Sequence, residues 1–187
     1  MEEITIFNKI LLNGKYFNFS KDNLPCLIFG VPHTGTSQFT VNVAVNLLRQ
    51  RCKIIFFSAF EMAKENLLSQ IEGEDYKKNL MIISPGSAKS FIMAVREIGL
   101  REEKIIVLKN FEQFEDDLVK MVYGRKGLIL SGNADESSLK KEIARINFSA
   151  KIFFSKPKTD FGIEIPVLNK YEGYFYSKDK QGIIKLT

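Results

Sequence analysis

CLIFGVPHTGTSQFTVNVAVNLL, residues 26–48, predicts a buried strand, a glycine-bounded loop and a buried helix in direct succession. The strand is the short apolar run 26–29. In the helix, Phe39, Val43 and Leu47 recur every four residues, and apolar residues also occupy its other faces. A helix that is apolar all round is typical of a protein interior. We therefore expect the rest of the chain to be organised around this strand and helix.

The loop between them has the spacing of the phosphate loop GxxxxGK(S/T). Gly30 and Gly35 occupy the glycine positions and Ser37 the hydroxyl position, but Thr36 stands in place of the lysine. The backbone N–H groups of such a loop and the helix N-terminus that follows attract an anion. The candidate nucleotide- or phosphate-binding residues here are Gly30, His33, Thr34, Gly35, Thr36 and Ser37. The alternative is an inherited turn that holds no ligand.

His33 is the single histidine of the chain and lies inside this loop. A bound phosphate would favour the charged form of its imidazole, which would partly replace the missing lysine. The alternative is a solvent-exposed loop histidine without a role.

Length and composition favour one soluble domain. A chain of 187 residues with 45% hydrophobic residues is long enough for one domain with a full core. The formal net charge of +5 suits an anionic partner such as nucleic acid, and equally a lysine-rich soluble protein. Cys26 and Cys52 are the two cysteines, and no spacing suggests a metal site.

The cysteine content fits a reducing compartment. The start, MEEITIFNK, has no cationic lead before an apolar run, and nowhere do 18 apolar residues follow one another. We therefore expect a cytoplasmic protein that neither is secreted nor spans a membrane.

Strand and helix patterns alternate from residue 26 to residue 155. After the first pair, strands are predicted at 53–58, 80–84, 105–108, 127–131 and 152–154, with helices between them. This alternation predicts an α/β fold with a mostly parallel sheet and helices on both faces.

The alternation stops after residue 155. Three short strands without intervening helices are predicted at 162–165, 171–177 and 183–186, which indicates an antiparallel extension at one edge of the sheet. We expect a single domain, with an N-terminal cap (1–24), an alternating core (25–155) and a β extension (156–187). Asn13-Gly14 predicts a hairpin turn within the cap.

Over about residues 25–187, these segments resemble the ATPase core of the RecA superfamily, which includes bacterial recombinase, KaiC-like proteins and DnaB-type replicative helicases. The resemblance rests on the loop 30–37, the strand and helix start 54–62, the strand 79–86 and the Walker B strand 105–108. It implies a three-layer RecA-like P-loop fold with ATP as the candidate ligand. It also implies that Glu61 is the catalytic glutamate that orients the attacking water, if the protein is active. The alternative for Glu61 is an ordinary first-turn acid of a helix.

Two departures from the family pattern concern the chemistry. In active members the loop lysine contacts the β- and γ-phosphates, and an aspartate at the end of the Walker B strand holds Mg²⁺. Thr36 and Lys109 occupy these two places here. We therefore expect no efficient hydrolysis and no metal site for Mg²⁺. An ammonium at Lys109 could pair with phosphate directly, and the alternatives are a simple loss of function or a salt bridge to an acid such as Glu61.

The C-terminal region suggests a contact surface. Four aromatic residues, at 171, 174, 175 and 176, interleave with Lys170, Lys178 and Lys180, which suits single-stranded DNA or RNA. In the family, a lysine of this region can also reach the nucleotide of a neighbouring subunit. The alternative is an edge hairpin with a lysine-rich turn.

The leading hypothesis is a non-hydrolysing RecA-like binding or assembly partner in DNA recombination, repair or replication. Its expected partner is another RecA-like protein or a second copy of this chain. One alternative is a slow ATPase of the RecA/DnaB type. Another is a RecA-like scaffold of a tRNA-modification complex.

Overall fold

The computed structural model describes residues 9–58, 62–71, 75–83, 87–97, 103–113, 122, 125–133, 143, 146–156 and 161–187. The described strands are β1 (Ile10–Leu12), β2 (Lys15–Tyr16), β3 (Cys26–Gly30), β4 (Lys53–Ser58), β5 (Leu80–Ile83), β6 (Lys104–Lys109), β7 (Leu128–Asn133), β8 (Ala150–Phe153), β9 (Glu172–Ser177) and β10 (Gln181–Leu186). The described α-helices are α1 (Thr36–Arg49), α2 (Met62–Gln70) and α3 (Ala88–Glu97).

The ten described strands form one sheet in the order β2-β1-β10-β9-β8-β3-β7-β6-β4-β5. The strands from β8 to β5 in this order are parallel, and β3 pairs with β7 on one side and β8 on the other. The remaining strands add antiparallel pairs at one edge. This architecture confirms the predicted α/β class, with a mostly parallel sheet and an antiparallel extension.

Buried apolar side chains cover both faces of the sheet. Along β3, Cys26 and Ile28 pack with α1 on one face, while Leu27 and Phe29 pack with Phe91 of α3 on the other. Because successive side chains of a strand point to opposite faces, a strand buried on both sides reads as a continuous apolar run. Helices on both sides give the fold three layers.

The N-terminal hairpin agrees with its prediction. Asn13 and Gly14 have φ angles of 50° and 76°, as a two-residue turn between antiparallel strands requires. The turn joins β1 to β2, and β1 pairs with β10. The first described residues therefore extend the sheet at its antiparallel edge.

The predicted strand at 162–165 is wrong. Within the described residues this segment has no strand partner, and Ile163 and Ile165 pack as half-buried side chains on the core. The physical reason is that β8 already lies between β3 and β9, so no free edge is available after it. The alternation of apolar residues here reflects packing on a sheet face and not pairing.

Some predictions fall outside the described residues. These include Ser84 and Glu61, as well as most of the helices expected after residues 110 and 134. Of the first of these helices, the structure describes a short 3-10 turn, Phe111–Gln113. None of the described helices combines the length and the apolar character needed to cross a lipid bilayer.

Candidate phosphate-binding site

The loop 30–37 joins the central strand β3 to α1, as the sequence predicts. Gly35 precedes the helix with φ at 99°, a left-handed conformation that favours glycine. No side chain caps this end of α1, and the first helical hydrogen bond runs from the Phe39 N–H to the Gly35 carbonyl at 2.9 Å. The backbone donors and the positive end of the helix dipole therefore lie at the mouth of the loop.

Thr36, in the lysine position, is 2% exposed. Its hydroxyl lies 3.2 Å from the Thr34 hydroxyl, which donates to the Val31 carbonyl at 2.7 Å. Because the Thr34 proton is used on Val31, the Thr36 hydroxyl is the donor between the two threonines. The side chain that replaces the lysine thus closes the loop from within and does not reach outward.

Gly30 allows this closure. A Cβ placed on Gly30 would lie 2.5 Å from Thr36 Oγ1 and 2.7 Å from both Thr34 Oγ1 and Phe154 Cβ. The base of the loop is therefore packed against the end of β3, with Phe154 beneath it. By contrast, His33 is exposed, with φ at 66°.

Lys109 ends β6, one strand removed from β3 because β7 lies between them. In register, Lys109 pairs with Ser58 of β4 and Ser131 of β7. The side chains of Ile105 and Val107 pack with α1, so strand alternation directs Lys109 to the same face. Thr40 of α1 hydrogen-bonds to Ser131. A buried polar layer therefore lies under the first turns of α1, with Lys109 in it.

Lys109 is buried, with 7% of the residue exposed, and its ammonium donates to Asn110 Oδ1 at 3.0 Å. Burial lowers the pKa of Lys109, and the negative charge of Glu112 opposes that shift. The salt-bridge alternative named Glu61, which lies outside the described residues; here the neighbouring carboxylate is Glu112. A cation at the end of β6 repels a divalent metal ion.

The pH dependence of stability tests this environment. Since the folded-state pKa of Lys109 lies below its ordinary 10.5, burial of the charged form destabilises the protein at neutral pH. That penalty is relieved as the pH rises from the lowered pKa of the folded state towards the ordinary value of 10.5. We expect Lys109→Met to remove this gain in stability. The free energy of unfolding, measured with urea, should therefore rise less with pH in the variant than in the wild type. Burial also lowers the pKa of Lys151, but its contribution to the pH dependence is the same in both proteins and cancels in the comparison. Identical pH profiles would contradict the buried charge.

The structure separates the three C-terminal lysines that the sequence grouped. Lys170 lies over the ring of Tyr171 at 5.0 Å, and a Cβ on Gly35 would lie 3.3 Å from Tyr171 Cδ1. Lys170 is therefore beside the loop, while Lys178 and Lys180 are in the β9–β10 turn at the other end of β9.

A cavity of about 180 Å³ opens beside the loop and is lined by Gly35, Gln38, Phe154, Tyr171 and Leu186. The sequence did not predict that Gln38 and Phe154 lie at this site. It assigned Tyr171 to a surface for single-stranded DNA or RNA. Since β9 is antiparallel to β8, its start returns to the end of the sheet where the loop lies. No local pattern signals that proximity.

No protein-family model and no curated protein sequence matches this chain. Solved structures do match. The cytoplasmic domain of the type VII secretion ATPase EccC from Thermomonospora curvata is 17% identical, with a TM-score of 0.66 over 96% of this chain and 26% of that one. The genome packaging NTPase B204 from Sulfolobus turreted icosahedral virus 2, in complex with AMP, is 14% identical, with a TM-score of 0.56 over 86% of this chain and 95% of that one.

The chain has a P-loop NTPase fold. The pCW3 conjugation coupling protein TcpA, in a structure with ATPγS, has the same fold at 13% identity, with a TM-score of 0.52 over 88% of this chain and 60% of that one. This chain spans about a quarter of the length of the EccC structure. Within this P-loop NTPase fold, the loop 30–37 occupies the place between strand and helix that phosphate loops take.

Proposed function

We propose that this chain is a RecA-like protein that binds a nucleotide at residues 30–37, does not hydrolyse it efficiently, and acts as a binding or assembly partner. The observation that carries the proposal is the side chain of Thr36, which is folded into the loop where a lysine would extend to the phosphates.

Nucleotide binding is supported by the backbone of the loop. The left-handed Gly35, the uncapped start of α1 and the half-buried hydroxyl of Ser37 offer donors to an anion. B204, which has the same fold, was solved with AMP and with ATPγS. The cavity beside Gly35 and Tyr171 adjoins these donors and offers room for part of a ligand.

Weak catalysis is supported by Thr36 and Lys109, which occupy the positions where active members have a lysine and an aspartate. Phosphoryl transfer depends on positioning and on stabilising charge on the transferred group, to which the lysine and the metal ion contribute most. Thr36 supplies no cation, and Lys109 supplies one at the place of the metal's anchor, held by Asn110 and Glu112. In the family pattern the residue at this position anchors Mg²⁺, so we propose that a cation there makes nucleotide binding independent of Mg²⁺.

The proposed role in a cell is supported by the RecA resemblance and by the functions of two proteins that share the fold. A genome packaging NTPase and a conjugation coupling protein share the fold, which supports a setting in which DNA is handled. We propose a part in recombination, repair or replication, together with a RecA-like partner or a second copy of this chain. A slow ATPase that uses Glu61 is the second candidate, and a scaffold of a tRNA-modification complex is the third.

Calorimetric titration with ATP, with Mg²⁺ and with EDTA, tests the proposal alongside a phosphate-release assay. We expect ATP to bind, its affinity to change less than about threefold between the two conditions, and phosphate to appear no faster than without protein. Turnover of Mg-ATP that disappears in Glu61→Gln would overturn it in favour of the slow ATPase. Absence of ATP binding would overturn the nucleotide site and leave the scaffold.

A further inference from the structure

A second concave site lies at the opposite end of the sheet from the phosphate loop. It is a groove of about 680 Å³, which we call the lysine groove, and Lys151, Lys178 and Lys180 are among its lining residues. Ala150, at the start of β8, pairs with Ser177, at the end of β9, so these lysines lie where the parallel strands begin. Gly30 is at the other end of β3.

Lys151 is the most enclosed of the three lysines. It is half-buried on β8, and its ammonium lies 5.9 Å from the ring centroid of Tyr176, its partner across the β8–β9 ladder. Burial lowers its pKa because the charged ammonium is partly removed from water. An anion in the groove would compensate this partly desolvated charge.

The aromatic rings of the groove are already covered. The Lys180 ammonium lies 5.9 Å from the ring centroid of Phe17, which is itself buried and packed edge-on against Phe175 at 5.0 Å. A nucleobase therefore has no free ring of Phe17 to stack on. Recognition would rest on the ammonium groups and on the hydroxyl and amide groups around them, which favours phosphate over bases.

Two aspartates also line the groove, against the three lysines. Asp22 accepts from the Ser20 hydroxyl at 3.5 Å in the turn that Ser20 caps, and Asp179 is exposed at the tip of the β9–β10 hairpin. Together the three lysines and two aspartates leave a formal charge of +1 in the groove. The volume is also within the range of about 300–1,000 Å³ that is usual for ligand sites.

We propose that the lysine groove is an anion site, separate from the phosphate loop, that binds a phosphate-bearing ligand. The source of the phosphate is either a free polyphosphate or the backbone of a single-stranded nucleic acid. This site does not depend on nucleotide binding at residues 30–37.

Two probes distinguish the sources: sodium tripolyphosphate in calorimetry and a fluorescein-labelled oligothymidylate in anisotropy, both at low salt. We expect Lys178→Gln/Lys180→Gln to weaken binding about tenfold, and to lower the slope of log affinity against log salt by about 1.4 for the oligonucleotide, since each lost backbone contact is worth about 0.7. Lys151→Gln should weaken binding in the same direction. Preferential binding of tripolyphosphate would identify a free polyphosphate ligand, and preferential binding of the oligonucleotide a nucleic acid.

The matched control is Lys77→Gln/Lys89→Gln, which removes the same charge from exposed positions outside the groove and should change affinity less than about twofold. Equal weakening by the groove variant and by the control, or no binding of either probe to the wild type, would overturn the proposal. Binding of ATP at residues 30–37 is measured separately, so failure of one site is distinguishable from failure of the other.

Discussion

Gly30→Ala is expected to lower the free energy of unfolding by about 3 kcal/mol, the upper part of the usual range for overpacking. The new methyl group would lie 2.5 Å from Thr36 Oγ1 and 2.7 Å from Phe154 Cβ. Phe154 Cβ is attached directly to the backbone, so it cannot rotate away as the end of a flexible chain can. Urea unfolding should show a lower midpoint with an unchanged slope.

Gly173→Ala is the matched control for this prediction. Gly173 is in β9, and a Cβ there would meet only side-chain ends, Ile184 Cγ2 and Phe154 Cζ, each at 3.2 Å. These neighbours need to move by a few tenths of an ångström, so we expect a loss below about 1 kcal/mol. Equal losses in the two variants would contradict the tight base of the loop.

Phe154→Ala is expected to cost about 4 kcal/mol of stability, as is usual when a buried phenylalanine is truncated. Phe154 is 5% exposed, its ring centroid lies 5.2 Å from that of Phe39 on α1, and it lies beneath Gly30. Because the ring supports the loop from below, its loss should also reduce the thermal shift produced by ATP. Urea unfolding measures the first effect, and thermal unfolding with and without ATP measures the second.

Phe161→Ala is the control for Phe154→Ala, because it removes an aromatic pair that lies away from the loop. Phe161 has a comparable ring contact, 5.2 Å from Phe153, but it is half-exposed and lies on the other face of the sheet. We expect it to cost about 1–2 kcal/mol and to leave the ATP-induced shift unchanged. A similar loss of the ATP-induced shift in both variants would show that Phe154 has no particular role in supporting the loop.

The loop and the polar layer accommodate both Thr36 and Lys109 without loss of packing. Thr36 is smaller than lysine and is satisfied inside the loop, so its presence costs no unsatisfied hydroxyl. Lys109 is tolerated in a buried position because Asn110 accepts from it and Glu112 carries the opposite charge. Both side chains are therefore compatible with the packing of the fold.

The sequence alone determined the strand, loop and helix of residues 26–48 and the alternation that follows. These features depend on local apolar spacing and on glycine conformation, which a short window of residues contains. The assignment of Thr36 and Lys109 to the lysine and aspartate positions of the family pattern came from the RecA resemblance and stays a prediction. The sequence-based prediction failed at 162–165, where an apolar alternation arises from packing on a sheet face and not from pairing with a strand.

The tertiary structure alone decided which distant residues meet. In the sheet, β7 lies between β3 and β6, so Lys109 is beside Ser131. The antiparallel direction of β9 places Tyr171 next to Gly35. The tertiary structure also separated Lys170 from Lys178 and Lys180 and brought these two together with Lys151. Strand order and antiparallel register result from long-range burial of apolar surface, which joins segments far apart in the chain and leaves no local periodicity to recognise.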